Sequence, residues 1–277
     1  MANTDQVARE WSAVARAWDA HVEHVDDHSV AATAALLDRV GARRGDRVLE
    51  LAAGPGSLGA AWSRLVGPTG TVVLSDIAAG MVEVARRRNA ALANVDVATL
   101  DASAIERPDG CFDVVASRMG LMFTPDPAVA FIEIHRVLAP GGRVGALTWA
   151  GIEHNPWMTC VGMAAMMNGL ASGGPPIGPG SIFSLGDPGQ LEVLATGAGF
   201  LDVTVEEIAL TFRADDIDTH VARVGALAGP LATVLESASA EHQAAVRRTA
   251  AELAAQYVSD HGLEIPGRAL LVSGRRC

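Results

Sequence analysis

Residues 54–59, Gly54-Pro55-Gly56-Ser57-Leu58-Gly59, carry the pattern Gly-x-Gly-x-x-Gly between an apolar stretch and a helical one. Glycine lets a backbone approach a ligand closely, and the N-terminus of the following helix favours a negative group. Asp76 ends the next apolar stretch, where an acid accepts hydrogen bonds from ribose hydroxyls. Two cofactor classes fit these residues. One is a dinucleotide with its pyrophosphate over the loop; the other is S-adenosylmethionine with its amino-acid end there.

These residues are positioned by short apolar segments. Residues 47–51, 71–76, 95–97, 112–117 and 143–149 read as strands, alternating with helical stretches that include 80–89 and 128–138. That rhythm means βαβ units and a parallel sheet. Ahead of it, the first 40 residues read as two helices. Trp11, Val14 and Trp18 stand at helical spacing, and a second amphipathic run covers 30–40. From Gly151 the rhythm breaks. Residues 150–179 are rich in Met, Gly and Pro. Residues 187–198 then read as helix, 201–210 as strand, 221–258 as helix broken at Gly229-Pro230, and 267–273 as a closing strand. We expect one domain over 1–277: N-terminal helices at 1–44, a cofactor-binding core at 45–150, and a helical lid from 151–186 and 213–262.

Three further features bear on the cofactor. Asp101 follows the third strand with Ala102 beside it, Pro140-Gly141-Gly142 precedes the fifth strand, and the chain closes with two strands separated by helix. The ensemble resembles the class I S-adenosylmethionine-dependent methyltransferases over residues 45–210. The family's first motif is Glu50-Leu51-Ala52-Ala53-Gly54-Pro55-Gly56, its second Asp76-Ile77-Ala78-Ala79-Gly80-Met81, and its third Asp101-Ala102. Ser117-Arg118-Met119-Gly120-Leu121-Met122-Phe123, Asn155-Pro156-Trp157 and Phe183-Ser184-Leu185 are similar to the small-molecule branch of the ubiquinone/menaquinone-biosynthesis type.

The resemblance implies an α/β, Rossmann-like sheet of seven mostly parallel strands, with helices on both faces and the last strand antiparallel. It implies methyl transfer from S-adenosylmethionine, leaving S-adenosylhomocysteine, to oxygen or carbon of a small, fairly apolar metabolite. It places Glu50 toward the cofactor ammonium, Ala52, Gly54 and Gly56 at the methionine end, and Asp76 with Ile77 at the ribose. Met81 falls on the adenine face, Asp101 and Ala102 at the adenine edge, and Ser117 at the cofactor end of the fourth strand. The family usually has Gly where this chain has Ala52; an ordinary backbone angle there would accommodate the extra methyl.

Displacement at a sulfonium depends mainly on alignment, and a base helps when the acceptor is a hydroxyl. His154 follows the fifth strand at the sheet edge where open α/β sheets bind ligands, so it is the first candidate base. His24 and His28 come second, if the N-terminal helix folds over that edge. His21, His24 and His28 also share a spacing that could converge on a metal, but a polar run between helices reads as a solvated hinge, and no metal is expected. Trp11 and Trp18 read as core-facing. Arg118, Met122, Trp157 and Met158 are assigned to the acceptor, although Arg118 also fits a structural ion pair. Six methionines between 119 and 167 suit an adaptable apolar pocket or plain core packing.

Composition narrows the classes. Hydrophobic residues make up 49% of the 277, enough for a sizeable core. A net charge of -11 without a basic run excludes a dedicated nucleic-acid backbone binder. The chain has no lysine. Its basic residues are all arginine, which with abundant Ala and Gly points to a GC-rich bacterial genome. The missing lysine removes the Tyr-Lys pair and weakens the second reading, a nicotinamide-dependent oxidoreductase. A third reading keeps S-adenosylmethionine on the same scaffold in a non-methylating cyclase. Cys111, Cys160 and Cys277 form neither a disulfide framework nor a zinc site. Neither a signal core in residues 1–10 nor an apolar run of about 18 residues is present. We expect a cytoplasmic enzyme with a small-molecule acceptor, no nucleic-acid partner and no membrane span; a homodimer is compatible with this.

Overall fold

The computed structural model describes residues 4–170 and 177–277. The apolar runs become strands because both faces of each are covered. In β1 (Arg47–Leu51) every residue after Arg47 is buried, the pattern of a parallel sheet with helices on both sides. β2 (Thr71–Asp76), β3 (Val95–Thr99), β4 (Phe112–Arg118) and β5 (Leu138–Trp149) join it in parallel. With β6 at Leu201–Ala214 and β8 at Gly262–Arg275, the sheet order is β3-β2-β1-β4-β5-β8-β6. β8 lies between β5 and β6 and is antiparallel to both. The seven-stranded path therefore agrees with the sequence reading. A two-residue β7 (Val258–Ser259) pairs with the start of β8 as an addition.

Helices α3 (Gly59–Val66), α4 (Ala79–Asn89), α5 (Pro127–Val137) and α7 (Pro188–Gly197) flank the sheet with α2 (Val22–Val40). One face buries Phe131, Ile134 and Leu191; the other buries Leu36, Trp62 and Val82. α5 and α7 start on the caps Asp126 and Asp187, whose carboxylates accept helix N–H groups.

β6 and β8 run longer than their sequence pattern indicates, 14 residues each. The extra length projects beyond the sheet. It supports α6 (Pro156–Met167), α8 (Ile217–Leu227), α9 (Pro230–Ser237) and α10 (Ala240–Ala254) around a third cluster that includes Val161, Val246 and Ile265. Part of the expected lid, residues 171–176, lies outside the described residues.

α1 (Thr4–Ala20) and α2 meet at His21, so the expected polar hinge collapses to one residue and His24 and His28 belong to α2. α1 spans from α4 to α8. Asp19 pairs with Arg87 and Arg88 of α4, and Trp18 Nε1 donates to the Leu227 carbonyl at 3.0 Å. Among the described residues no helix is long and apolar enough to cross a membrane.

Candidate active site

A cavity of about 890 Å³ opens where β1, β2, β4 and β5 end. One wall is the turn after β1. Gly54 has φ +55 and open space where a Cβ would stand, and it lines the cavity. Gly56 has a different task. A Cβ there would lie 2.7 Å from Asn89 Nδ2, which donates to the Gly56 carbonyl at 3.0 Å. Its freedom lets the loop pack on α4, and it does not line the cavity.

Ala52 departs from the ordinary backbone angle expected of it. Its φ is +50, in the left-handed region that disfavours a side chain, at a cost of about 1 kcal/mol. A Cβ at Gly120 would stand 2.2 Å from the Ala52 Cβ, so the alanine methyl occupies space that a glycine opposite leaves free. Ala52→Gly is expected to raise stability by about 1 kcal/mol, and Gly120→Ala to lower it by about 2 kcal/mol. Combining them should recover much of the loss in denaturant unfolding; strictly additive effects would refute the contact.

The acids sit at different depths. Asp76 is buried and lines the cavity. Its Oδ2 accepts from Gly54 N and its Oδ1 from Ala78 N, both at 2.9 Å. Burial pushes its pKa up to about 6 against the pull of those N–H groups. Each oxygen keeps a lone pair for a ligand hydroxyl. Glu50 lies behind the wall, with Oε2 accepting from Trp62 Nε1 at 2.8 Å. Burial raises it to about 7, opposed by the Arg118 charge and the Trp62 bond. Asp101, Ala102, Ile77 and Met81 line the cavity; Asp101 Oδ1 accepts from Ser103 N at 2.8 Å. Ser117 is buried away from it, its Oγ without a hydrogen-bond partner.

The opposite wall is aromatic. Trp157 stacks on Phe212 with centroids 4.1 Å apart and meets Trp149 at 4.9 Å. Met158, Met163 and Met166 of α6 continue this wall. Trp11 and Trp18, read as core-facing, do pack against the buried cluster of Val14, Ala78 and Met81, and they line the cavity as well, with Trp11 edge-on to Phe123. Met122 does the reverse. The short turn Leu121–Phe123 aims it into the core, where it is fully buried, while Met119 and Phe123 face the cavity.

Arg118 is held by protein groups. Its Nη1 donates to Asp26 Oδ1 at 2.8 Å and, more weakly, to Ser29 and Thr33, while its Nη2 donates to Ser57 Oγ at 2.6 Å. It ties α2 to the glycine turn, so its charge is already balanced before any acceptor arrives.

Two of the three expected bases are placed where an acceptor would not readily reach a free nitrogen. His154 sits half-exposed on a turn, 3.4 Å from Glu153, and lines a separate pocket of about 330 Å³ rather than the cavity. His28 lines the cavity, but Nδ1 lies 2.6 Å from the His24 carbonyl and Nε2 accepts from Arg213 N at 2.7 Å. Both ring nitrogens are thus already engaged by the backbone. His24 lines the cavity over His28; burial and neighbouring cations push it down to about 4. Among the described residues no group of three side chains is arranged to hold a metal.

Sequence reasoning missed His220 and Arg223, both on the cavity wall. His220 Nε2 lies 2.7 Å from the Trp157 carbonyl and acts as donor, leaving Nδ1 as acceptor; burial lowers its pKa. The spacing of His220, Val224 and Leu227 was a readable helical stripe.

The ubiE/COQ5 methyltransferase family matches residues 2–164. The ubiquinone/menaquinone biosynthesis C-methyltransferase UbiE of Erwinia tasmaniensis is 41% identical over 123 residues, 43% of this chain and 49% of that protein. The chain thus spans about half the length of the curated relatives it matches. The structure is similar to the YcgJ protein of Bacillus subtilis, with a TM-score of 0.59 and 19% identity over 88% of this chain and 97% of that one. It is also similar to the 4+2 cyclase SpnF, with a TM-score of 0.55 and 19% identity over 96% and 95%.

Proposed function

The chain belongs to the ubiE/COQ5 methyltransferase family, and from that premise we propose that it moves a methyl group from S-adenosylmethionine to a small, largely apolar acceptor. The carrying observation is that one cavity joins the Gly54–Asp76–Asp101 wall to the aromatic wall of Trp149, Trp157 and Phe212. Its 890 Å³ is near the top of the range of about 300–1,000 Å³ for small-molecule sites, which suits two molecules side by side.

The residues fit the cofactor. Gly54 leaves open space, and the Asp76 oxygens keep lone pairs. Asp76 would accept from the ribose hydroxyls, Asp101 from the adenine amino group, and Met81 would pack on the adenine. When bound, S-adenosylmethionine supplies the electrophilic methyl. The aromatic wall and methionines hold the acceptor and exclude water, so alignment carries most of the rate. His24 and His220, neutral at pH 7 because burial lowers both, are the groups that would receive an acceptor proton. Carbon as the receiving atom draws support from the relatives, which are C-methyltransferases. The free thiols support a cytoplasmic setting. We read residues 1–277 as one domain, with α6 and α8–α10 covering the acceptor.

Calorimetry with S-adenosylmethionine, S-adenosylhomocysteine and NAD tests this reading, together with transfer of labelled methyl to 1-naphthol. The first two should bind and NAD stay silent. The opposite pattern would overturn the reading. Binding without transfer to any acceptor would favour the non-methylating cyclase, a chemistry the shared fold with SpnF allows.

A further inference from the structure

Two arginines line the cavity, and their surroundings differ. Arg118 is neutralised by Asp26 and saturated by hydroxyls. Arg223, one turn after His220 on α8, has no carboxylate among the described residues within ion-pair distance. Asp76 and Asp101 belong to the cofactor wall, and Glu10 is engaged by Gln6 on α1. Asp216, close enough to feel the Arg223 charge, spends its carboxylate on Thr219 N at the start of α8.

The one hydrogen bond that Arg223 makes is from Nη1 to the Arg213 carbonyl at 3.3 Å. Its Nε–Nη2 edge is therefore open among the described residues. That edge is the planar fork that grips a carboxylate through two parallel bonds. The guanidinium stands partly exposed on a largely apolar wall, so an arriving carboxylate would have only water to displace from the open edge. His24 and His220 stand near enough to feel the local positive charge, and neither brings a carboxylate to offset it.

We propose that Arg223 is the anchor of an acceptor subsite for a carboxylate, so the acceptor is a flat, apolar carboxylic acid. The acid is held at α8 while its ring lies along Trp157 and Phe212. His24, neutral and beside the subsite, offers a hydrogen bond without competing charge. This inference rests on the methyltransferase reading for what the bound acid then undergoes, but the recognition is a binding property that can be measured by itself.

The test uses the full chain saturated with S-adenosylhomocysteine and compares 2-naphthoate with its neutral isostere 2-naphthamide by calorimetry. Wild type should bind the naphthoate about tenfold more tightly, and Arg223→Gln should abolish that preference while leaving naphthamide within about twofold. An unchanged S-adenosylhomocysteine affinity in the variant shows that the site still folds. Equal binding of the two probes by wild type, binding of neither, or a preference that survives Arg223→Gln would each overturn the proposal. A wild-type chain that fails to bind S-adenosylhomocysteine would strike at the methyltransferase reading instead, and the two probes are then compared without it.

Discussion

Asp76→Ala is expected to weaken S-adenosylhomocysteine binding by about ten- to hundredfold, the range for losing hydrogen bonds to a charged group. Two losses combine. The ribose loses its acceptors, and the Gly54 and Ala78 N–H groups lose the carboxylate that now holds them at 2.9 Å. The second loss loosens the turn that forms the cofactor wall, so part of the effect is loss of preorganisation. Asp76→Asn separates the two. Its carbonyl can still accept from one N–H, but its amide faces the other donor, so it should bind better than the alanine variant and worse than wild type. Calorimetry gives the affinities, and thermal unfolding without ligand shows that each variant remains folded. An alanine variant with wild-type affinity would leave Asp76 as a structural clamp only.

The wall of Gly54, Asp76 and Asp101, proposed to hold the cofactor, could be assembled from the sequence because its signals are local. A short, mostly apolar strand, a turn with glycines at fixed offsets and an acid closing the next strand are all features of short segments. Their meeting follows from parallel topology. The acceptor wall was less legible because distant segments make it. Trp157, Phe212 and His220 come from α6, β6 and α8, and they converge because the β6–β8 pair overruns the sheet. That overrun is carried by alternating burial at Leu263 and Ile265, interrupted by Glu264 and Pro266, a short pattern beside a proline that reads as turn. His154 shows the other limit. Its position after β5 was read correctly, but one tight turn sends its side chain to the neighbouring pocket. The same applies to Met122 against Met119: residue type is legible, the direction of a turn is not.

Cofactor affinity should rise at least about tenfold between pH 5.5 and pH 7.5, because two buried carboxyls, Asp76 on the cavity wall and Glu50 behind it, become charged over that range. Asp76 is raised to about 6 and Glu50 to about 7, in both cases chiefly by burial. At pH 5.5 both are largely protonated. On the proposed reading a protonated Asp76 has one oxygen less to offer the ribose, and a protonated Glu50, behind the wall and bonded to Trp62, no longer adds negative charge to the cofactor end of the cavity. For folding the sign is opposite. Both carboxyls hold protons more tightly folded than unfolded, so the stability they contribute is full below their ordinary values and is lost as pH rises through 6 and 7. His24, His135 and His220 are shifted down and favour the fold as pH rises, so overall stability mixes both trends and affinity is the cleaner measurement. Asp19, Asp113 and Glu133 are lowered, chiefly by arginine hydrogen bonds, and they titrate below this window. Binding near pH 6.5 should release protons, visible as an enthalpy that changes with the ionisation heat of the buffer. Glu50→Gln should remove the upper part of the rise and leave the part near pH 6. A flat affinity from pH 5.5 to 7.5, or proton uptake on binding, would show that the charge of neither carboxyl contributes to cofactor binding.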